Sequence, residues 1–183
     1  ANGWAVNGRV KMNVKFGVDD PKRAVLEVGN DDWPLPVPIV QKNGKWRFNA
    51  QEGREEILAR RIGGNELETI DLLRGYVEAQ QEYAEEVRDG SGVLQYAQKW
   101  ISTPGKQDGL AWQAADGTWE GPVGEGIARV IAEGYRDRYD PFHGYYFKVL
   151  KRQGPAAPPG AMDYVVEGAM IGGLALAAAP ADH

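Results

Sequence analysis

The feature that most restricts the fold is a stretch with proline at every second position, WPLPVPIV, residues 33–40. In an extended chain, N–H groups two residues apart point to the same side, so Pro34, Pro36 and Pro38 remove hydrogen-bond donors from one side only. The residue before each proline is also kept out of helical geometry. The stretch therefore predicts an edge strand that pairs on one side. The alternative is a polyproline ligand for a partner, which we rank second because strand-like segments flank the stretch on both sides.

Those flanking segments predict an antiparallel meander over residues 1–53. Arg9 to Phe16 alternates apolar and polar residues, which is typical of a half-buried strand. Arg23 to Val28 reads as a second strand, and Lys45 to Phe48 as a fourth after the proline-rich one. Asn43-Gly44 precedes that fourth strand and suits a tight hairpin turn, since both residues tolerate positive φ. We expect this meander to be part of a cone-shaped α+β domain.

The hydrophobic period changes from strand-like to helical after residue 53. Arg54 to Ile62 predicts a short helix that Gly63-Gly64 ends. Asn65 then suits the N-cap of a second helix of about 23 residues. Its inward face is predicted to carry Leu67, Ile70, Leu73, Val77, Ala84 and Val87, with Tyr76 and Tyr83 alongside. Its Glu- and Gln-rich face is interpreted as solvated, not as a binding stripe.

The remaining chain predicts two further short helices and a return to strands. Val93 to Ile101 and Glu125 to Glu133 have helical spacing. Gly144 to Lys151, Met162 to Glu167 and Met170 to Ala178 read as strands. Residues 54–183 are therefore expected to form a second α+β domain with a long helix packed on an antiparallel sheet. The whole chain is assigned to the α+β class.

Composition argues against several functional classes. The net charge is −5 and no run of Lys or Arg exceeds two residues, so a nucleic-acid partner is disfavoured. The chain has no cysteine, which excludes disulfides, Cys-ligated zinc and a thiol nucleophile. The longest apolar stretch, Met170 to Pro180, is shorter than the roughly 20 residues of a membrane span. We predict no cofactor and no transmembrane span in this chain.

Catalytic and metal-binding patterns are sparse. A triad on His143 would need Ser91 or Ser102, and neither lies in a nucleophile-elbow sequence. Asp137, Asp140 and His143 share a three-residue spacing, but Pro141 interrupts the helix that would align them. We therefore predict no catalytic residue and no metal site.

Aromatic residues provide the remaining binding candidates, because aromatic faces stack on sugars and peptides. Alternation places Tyr145 and Phe147 on one face of a strand and Tyr146 on the other, which favours a core strand with one partly exposed ring. The candidate binding residues are Trp112, Trp119, Tyr139, His143 and Tyr146.

A set of motifs that covers nearly the whole chain resembles a known family. The motifs are Gly29–Val40, Gly44–Phe48, Gly53–Leu58, Arg61–Leu67, Tyr96–Gln98, Ile101–Lys106, Asp108–Leu110, His143–Phe147, Gln153–Pro155 and Met170–Gly173. In this order they resemble a family of exported bacterial proteins known only as domain of unknown function 2950. The resemblance implies a periplasmic or cell-envelope location, with a signal peptide and an N-terminal helical region outside this chain and further strands after His183. It brings no catalytic residues.

Residues 65–180 also resemble, more loosely, the head of a type IV pilin or pseudopilin, in which a long helix packs on an antiparallel sheet. This second resemblance implies only the fold. The function that we expect is that of a non-enzymatic envelope protein that binds or assembles with a protein partner, with a homo-oligomer as a further expectation. The alternative is a hydrolase or carbohydrate-binding module that uses carboxylates and aromatics near residues 103–119 and 137–147.

Overall fold

The computed structural model describes residues 10–125, 127–128, 131 and 141–181. The chain divides into two compact units, unit 1 over residues 1–64 and unit 2 over residues 65–183. The sequence pattern places the domain boundary after Gly53, whereas this division falls after Gly64. The combination of an antiparallel meander, one long helix and further antiparallel strand pairs confirms the α+β class.

Unit 1 contains a five-stranded antiparallel sheet. Its strands are β1 (Met12–Phe16), β2 (Arg23–Val28), β3 (Trp33–Pro34), β4 (Ile39–Lys42) and β5 (Lys45–Phe48). The order is β1-β2-β4-β5, and β3 pairs with β2 beyond the end of β4. Asn43 and Gly44, with φ of 53° and 75°, form the predicted tight turn between β4 and β5. The expected half-burial of β1 is wrong, because all five of its residues are exposed.

The proline-rich stretch is split between two strands, so its interpretation as one edge strand is only partly correct. Its first part, β3, pairs with β2 alone, and Leu35 N–H still donates to Leu26 O at 2.7 Å. Its last part begins β4, which lies between β2 and β5 inside the sheet. Pro36 and Pro38 lie in the non-strand segment that separates the two, where no strand ladder needs the donors that they lack.

The chain between residues 50 and 83 forms one helix, α1 (Ala50–Tyr83). The prediction that Gly63-Gly64 would end a first helix is wrong. Glycine in a helix interior costs only about 1 kcal/mol, and the residues on both sides of this pair are good helix formers. Residues 50–64 of α1 belong to unit 1 and residues 65–83 to unit 2.

The described strands of unit 2 form four antiparallel pairs. Their bounds are β6 (Trp112–Gln113), β7 (Trp119–Glu120), β8 (Tyr145–Leu150), β9 (Arg152–Gln153), β10 (Met162–Asp163), β11 (Val165–Val166), β12 (Ala169–Met170) and β13 (Ala175–Pro180). The pairs are β6 with β7, β8 with β13, β9 with β10, and β11 with β12. The predicted strand over residues 162–167 is divided at Tyr164, because its two halves pair with different partners.

The core of unit 2 packs against a face of α1 that the sequence pattern predicts only in part, through Tyr76 and Tyr83. Tyr76, Ala79 and Tyr83 are buried and contact Leu110, Ala111 and other core residues. Gln80 is fully buried beside them, whereas the predicted inward residues Leu67, Ile70 and Val77 are exposed. The apolar residues of α1 are therefore a poor guide to its buried face.

Residues 93–101 are not helical, contrary to the prediction. The backbone of Ala97 is held by the Gln80 side chain, which accepts from Ala97 N–H at 2.8 Å and donates to Ala97 O at 2.9 Å. Tyr96 N–H donates to Met170 O at 2.9 Å. These bonds to distant residues replace the bonds of a helix. The helix predicted over residues 125–133 falls partly outside the described residues.

Candidate functional site

Unit 2 contains an open cavity of about 520 Å³ along α1, which we call the acidic groove. Its floor is apolar and aromatic, formed by Leu72, Tyr76, Ala79, Trp100, Val123, Ile127 and Phe142. One side of the groove, which we call the acidic wall, consists of Glu68, Asp71, Glu78 and Glu82, all from α1. A volume of this size is usual for a ligand site. An apolar floor with few polar groups at its rim is also the usual make-up of such a site.

The four carboxylates share one side of α1 because they are three, seven and four residues apart. Asp71 makes an exposed ion pair with Arg74 at 3.4 Å, which is worth little in water. In the part of the chain that the structure describes, Glu78 and Glu82 form no ion pair. Residues 65–183 contain 18 Asp and Glu against ten Lys and Arg, so the sequence around the groove is strongly acidic. The groove therefore favours a ligand that is both apolar and cationic.

His143 lies at one end of the acidic groove. It and Gly144 have φ of 50° and 79°, which places both in the left-handed region required by a two-residue hairpin turn. Phe142 and Tyr145 close this turn with reciprocal N–H to O bonds of 2.9 and 3.0 Å. The turn directs His143 Nδ1 to the carboxylate of Glu68. His143 is thus positioned by local backbone geometry and by an acidic partner.

The floor of the groove is fixed by a buried polar network. The Trp100 ring lies 5.0 Å from the Tyr76 ring, centroid to centroid. Gln80 Nε2 donates to Tyr76 Oη at 2.9 Å. Burial raises the pKa of Tyr76 and outweighs this hydrogen bond. Tyr76 therefore stays neutral and lines the groove as an aromatic surface.

The two predicted tryptophans of the residue 103–119 loop lie outside the acidic groove. Arg88 packs over the Trp112 ring, 5.1 Å from its centroid, and Trp112 Nε1 donates to Glu120 at 2.9 Å. Trp119 is half-buried and packs against the core cluster. One face of Trp112 is therefore already occupied by a side chain of the same protein.

Of the other predicted binding residues that the structure describes, only His143 lines the groove. Tyr146 is exposed on β8 and Phe147 is buried, which confirms the predicted alternation of this strand. Tyr139 lies outside the described residues, as do Asp137 and Asp140.

Ser91 and Ser102, the serines that a triad on His143 would need, have structural partners. Ser102 Oγ accepts from Gly109 N–H at 2.9 Å, and Ser91 Oγ donates to Val93 O at 2.9 Å. No Ser, Thr or Cys is among the residues that line the groove with His143. Among the described residues, no group of three or more His, Asp or Glu is arranged to hold a metal ion.

Asp108 is committed to a turn in the residue 103–119 loop. It accepts from Thr103 N–H at 2.7 Å, from Thr103 Oγ1 at 2.8 Å and from Lys99 Nζ at 2.7 Å. Burial alone would raise the pKa of Asp108, but the bonds from Lys99 and Thr103 together outweigh it and hold the pKa below its usual value. Asp116 similarly accepts from Thr118 N–H and Oγ1, and these bonds lower its pKa. Both carboxylates are therefore ionised turn anchors and poor general acids.

Sequence reasoning missed the acidic wall and Trp100. The wall was interpreted as a solvated face because its glutamates alternate with other polar residues along α1. A usable signal exists, since Asp71 and Glu78 are one heptad apart on α1 and Glu68 and Glu82 lie three and four residues outside them. Trp100 gave no such signal, because it reaches the groove from a segment that is expected to be helical and is not.

Fold and site together define an α+β protein with an open, acidic groove over an aromatic floor. Within the described residues, no helix combines the length and hydropathy of a membrane span. The model of the family described as Protein of unknown function (DUF2950) matches residues 5–183, and the chain belongs to that family. No curated protein and no solved structure matches the chain.

Proposed function

We propose that the protein is a non-enzymatic binding protein of the bacterial cell envelope, and that its acidic groove takes a basic, amphipathic segment of a protein partner. The observation that carries the proposal is the combination of an apolar cavity of about 520 Å³ with four carboxylates along one wall. An apolar side chain of the ligand would pack against Leu72, Trp100 and Phe142, which line the groove and are half-buried. Lysine or arginine residues next to it would pair with Glu78 and Glu82.

A ligand that supplies both an apolar side chain and cationic side chains is favoured energetically. Apolar area removed from water contributes about 25 cal/mol per Å², so one buried Leu or Phe side chain provides most of the affinity. Exposed ion pairs add at most about 1 kcal/mol each, but they select cationic over anionic ligands and accelerate encounter. The acidic wall is thus expected to control specificity and salt dependence more than affinity.

The alternative of a hydrolase or carbohydrate-binding module receives less support from the described geometry. Asp108 and Asp116 anchor turns, and one face of Trp112 is covered by Arg88. His143 has an acidic partner but no hydroxyl nucleophile beside it in the groove. A site of that kind would need contributions from Asp137, Tyr139 or Asp140.

The binding proposal can be tested by calorimetry with defined peptides. The probe is a short peptide of alternating lysine and leucine, and its control replaces every lysine with glutamate. We expect saturable binding of the lysine peptide that weakens by about tenfold or more in the E78Q/E82Q double variant. The E66Q variant is the matched control, since Glu66 is exposed on α1 but does not line the groove. Equal binding of both peptides, or no effect of E78Q/E82Q, would refute the proposal.

The envelope location rests on the family resemblance and is tested separately. Fractionation of cells that express the full-length gene should recover the protein outside the cytoplasm. Recovery in the cytoplasmic fraction would overturn the proposed location and would leave the proposed binding to the acidic groove unaffected.

A further inference from the structure

Unit 1 presents an uncovered apolar sheet face, whose members follow from the strand register. Phe16 pairs with Ala24, Ala24 with Ile39, and Ile39 with Phe48, so these four residues share one face of the sheet. Residues two positions away along each strand share the same face. The whole face consists of Met12, Val14, Phe16, Ala24, Leu26, Val28, Ile39, Gln41, Trp46 and Phe48. We call this set the apolar face.

The opposite side of the sheet is the side that α1 covers. Arg23 and Val25, which point away from the apolar face, line a cavity of about 460 Å³ with Glu52 and Ala59 of α1. Arg23 also forms an ion pair with Glu52. The part of α1 that belongs to unit 1 is therefore already used on the other side and leaves the apolar face open.

The exposure of the apolar face is large for side chains of this type. Met12 is 64% exposed, Phe16 60%, Phe48 54% and Trp46 42%. The Phe16 and Trp46 rings pack edge to face at 5.6 Å and form a ridge above the small, buried Ala24. In the described residues 10–64, the only apolar residues that are buried are Ala24 and Pro38, apart from Gly53. Unit 1 thus buries little apolar surface of its own, and a sheet normally needs a second layer on its apolar face.

We propose that a second copy of this chain covers the apolar face, so that two copies associate through their unit 1 sheets. The face carries no charged residue, because every Lys, Arg, Asp and Glu of β1, β2, β4 and β5 points the other way. Two copies with the same net charge can therefore meet here without desolvating or opposing like charges. A partner that is recognised through its opposite charge would require charged residues on this face.

The available area also fits two copies. Large side chains present roughly 150–250 Å² each when fully exposed, so the exposed fractions of the apolar face leave on the order of 500 Å² per copy. Two copies would bury about 1,000 Å² from these side chains alone, which reaches the lower bound of a specific protein–protein interface. The area of about 500 Å² on one copy also lies near the upper end of the range for the largest apolar patch on a typical monomer, about 300–600 Å². A dimer of moderate affinity is the expected result.

The test uses the absence of cysteine from the chain, which lets one introduced thiol report a contact. Packed sheets lie about 10 Å apart, so a bismaleimide of similar reach should cross-link Val14→Cys between two copies. The matched control is Asn13→Cys, on the same strand but on the opposite face, where Asn13 donates to Asp32 at 3.0 Å. We expect a cross-linked dimer from Val14→Cys and none from Asn13→Cys. Equal cross-linking of both, or cross-linking of Asn13→Cys alone, would overturn the proposal.

Sedimentation analysis of the full 183-residue chain provides the second measurement. We expect a concentration-dependent monomer–dimer equilibrium whose dissociation constant rises at least about tenfold in Trp46→Ser, a loss typical of a central aromatic contact. Circular dichroism checks that this variant is folded, and Val14→Cys gives a result that does not depend on it. A chain that stays monomeric at all accessible concentrations would overturn the proposal, including the case in which another segment of the same chain shields the face.

Discussion

Gln80 offers the sharpest test of how unit 2 is held together. Its side chain is fully buried and makes three hydrogen bonds, two to the backbone of Ala97 and one to Tyr76 Oη. The Gln80→Leu substitution keeps a side chain of similar size and removes all three bonds. It leaves the N–H and C=O of Ala97 buried without partners, since Ala97 is itself buried.

The expected loss follows from the groups left unsatisfied. Each buried polar group without a partner costs about 1–3 kcal/mol, so two backbone groups and one hydroxyl give about 3–9 kcal/mol. Leucine buries slightly more apolar surface than glutamine, which offsets little of this loss. The total stability of a domain is about 5–15 kcal/mol, so Gln80→Leu should bring unit 2 close to unfolding.

Hydrogen exchange and urea unfolding check this prediction together. In Gln80→Leu, the Ala97 amide should exchange at least about 100-fold faster, which corresponds to a loss near 3 kcal/mol. Gln81→Leu is the matched control, because Gln81 is the next residue of α1 and is exposed. Its free energy of unfolding should change by less than about 0.5 kcal/mol. A loss below about 1 kcal/mol in Gln80→Leu, or unchanged protection of Ala97, would refute the reasoning.

Four further substitutions test other parts of the structure. Gly53→Ala should destabilise the protein by about 1–2 kcal/mol because the added Cβ would lie 2.7 Å from Val37 Cγ2, whereas Gly64→Ala meets open space and should stabilise α1 by about 0.5–1 kcal/mol; urea unfolding that shows the same sign for both contradicts this. Asp108→Asn should cost about 1 kcal/mol at pH 7 after allowance for solvent screening. Because the folded pKa of Asp108 is lowered, its contribution is present above the unfolded pKa near 3.9 and is lost as pH falls through the folded pKa, so a difference that does not shrink as the pH falls below about 3.9 would contradict the assignment. Burial raises the pKa of Tyr83 to about 12, so stability should fall as pH rises from about 10 towards 12; in Tyr83→Phe the late-ionising part of the 295 nm titration should shrink, and an unchanged titration would count against this.

Local sequence signals predicted the structure correctly wherever backbone φ preferences or the alternation of side chains determine it. The Asn43-Gly44 turn was predictable because few residues tolerate positive φ at two successive positions. The alternation of Tyr145, Tyr146 and Phe147 predicted the buried and exposed sides of β8. The second strand was predicted at the bounds that the structure shows, Arg23 to Val28. These features yield the α+β class without knowledge of any long-range contact.

Of the described residues that line the groove, His143 is the only one that the sequence identified as a candidate site residue. Its groove depends on the side of α1 that is buried, and that side is marked by Tyr76, Gln80 and Tyr83 instead of by the aliphatic residues. A buried glutamine is not expected from the sequence, because amide side chains are mostly exposed. The acidic wall was consequently assigned to a solvated face.

The sequence by itself determined the turns, the strand alternation and the fold class, because these depend on φ preferences and on periods of two or 3.6 residues. Only the tertiary structure decided that α1 continues through Gly63-Gly64, that residues 93–101 are not helical and that the proline-rich stretch is divided between two strands. For residues 93–101, the partners of the backbone hydrogen bonds lie far away along the chain. Gln80 is 17 residues from Ala97, and Met170 lies on β12, far from Tyr96. Such bonds satisfy a buried backbone as well as a helix would, and no local pattern reveals them.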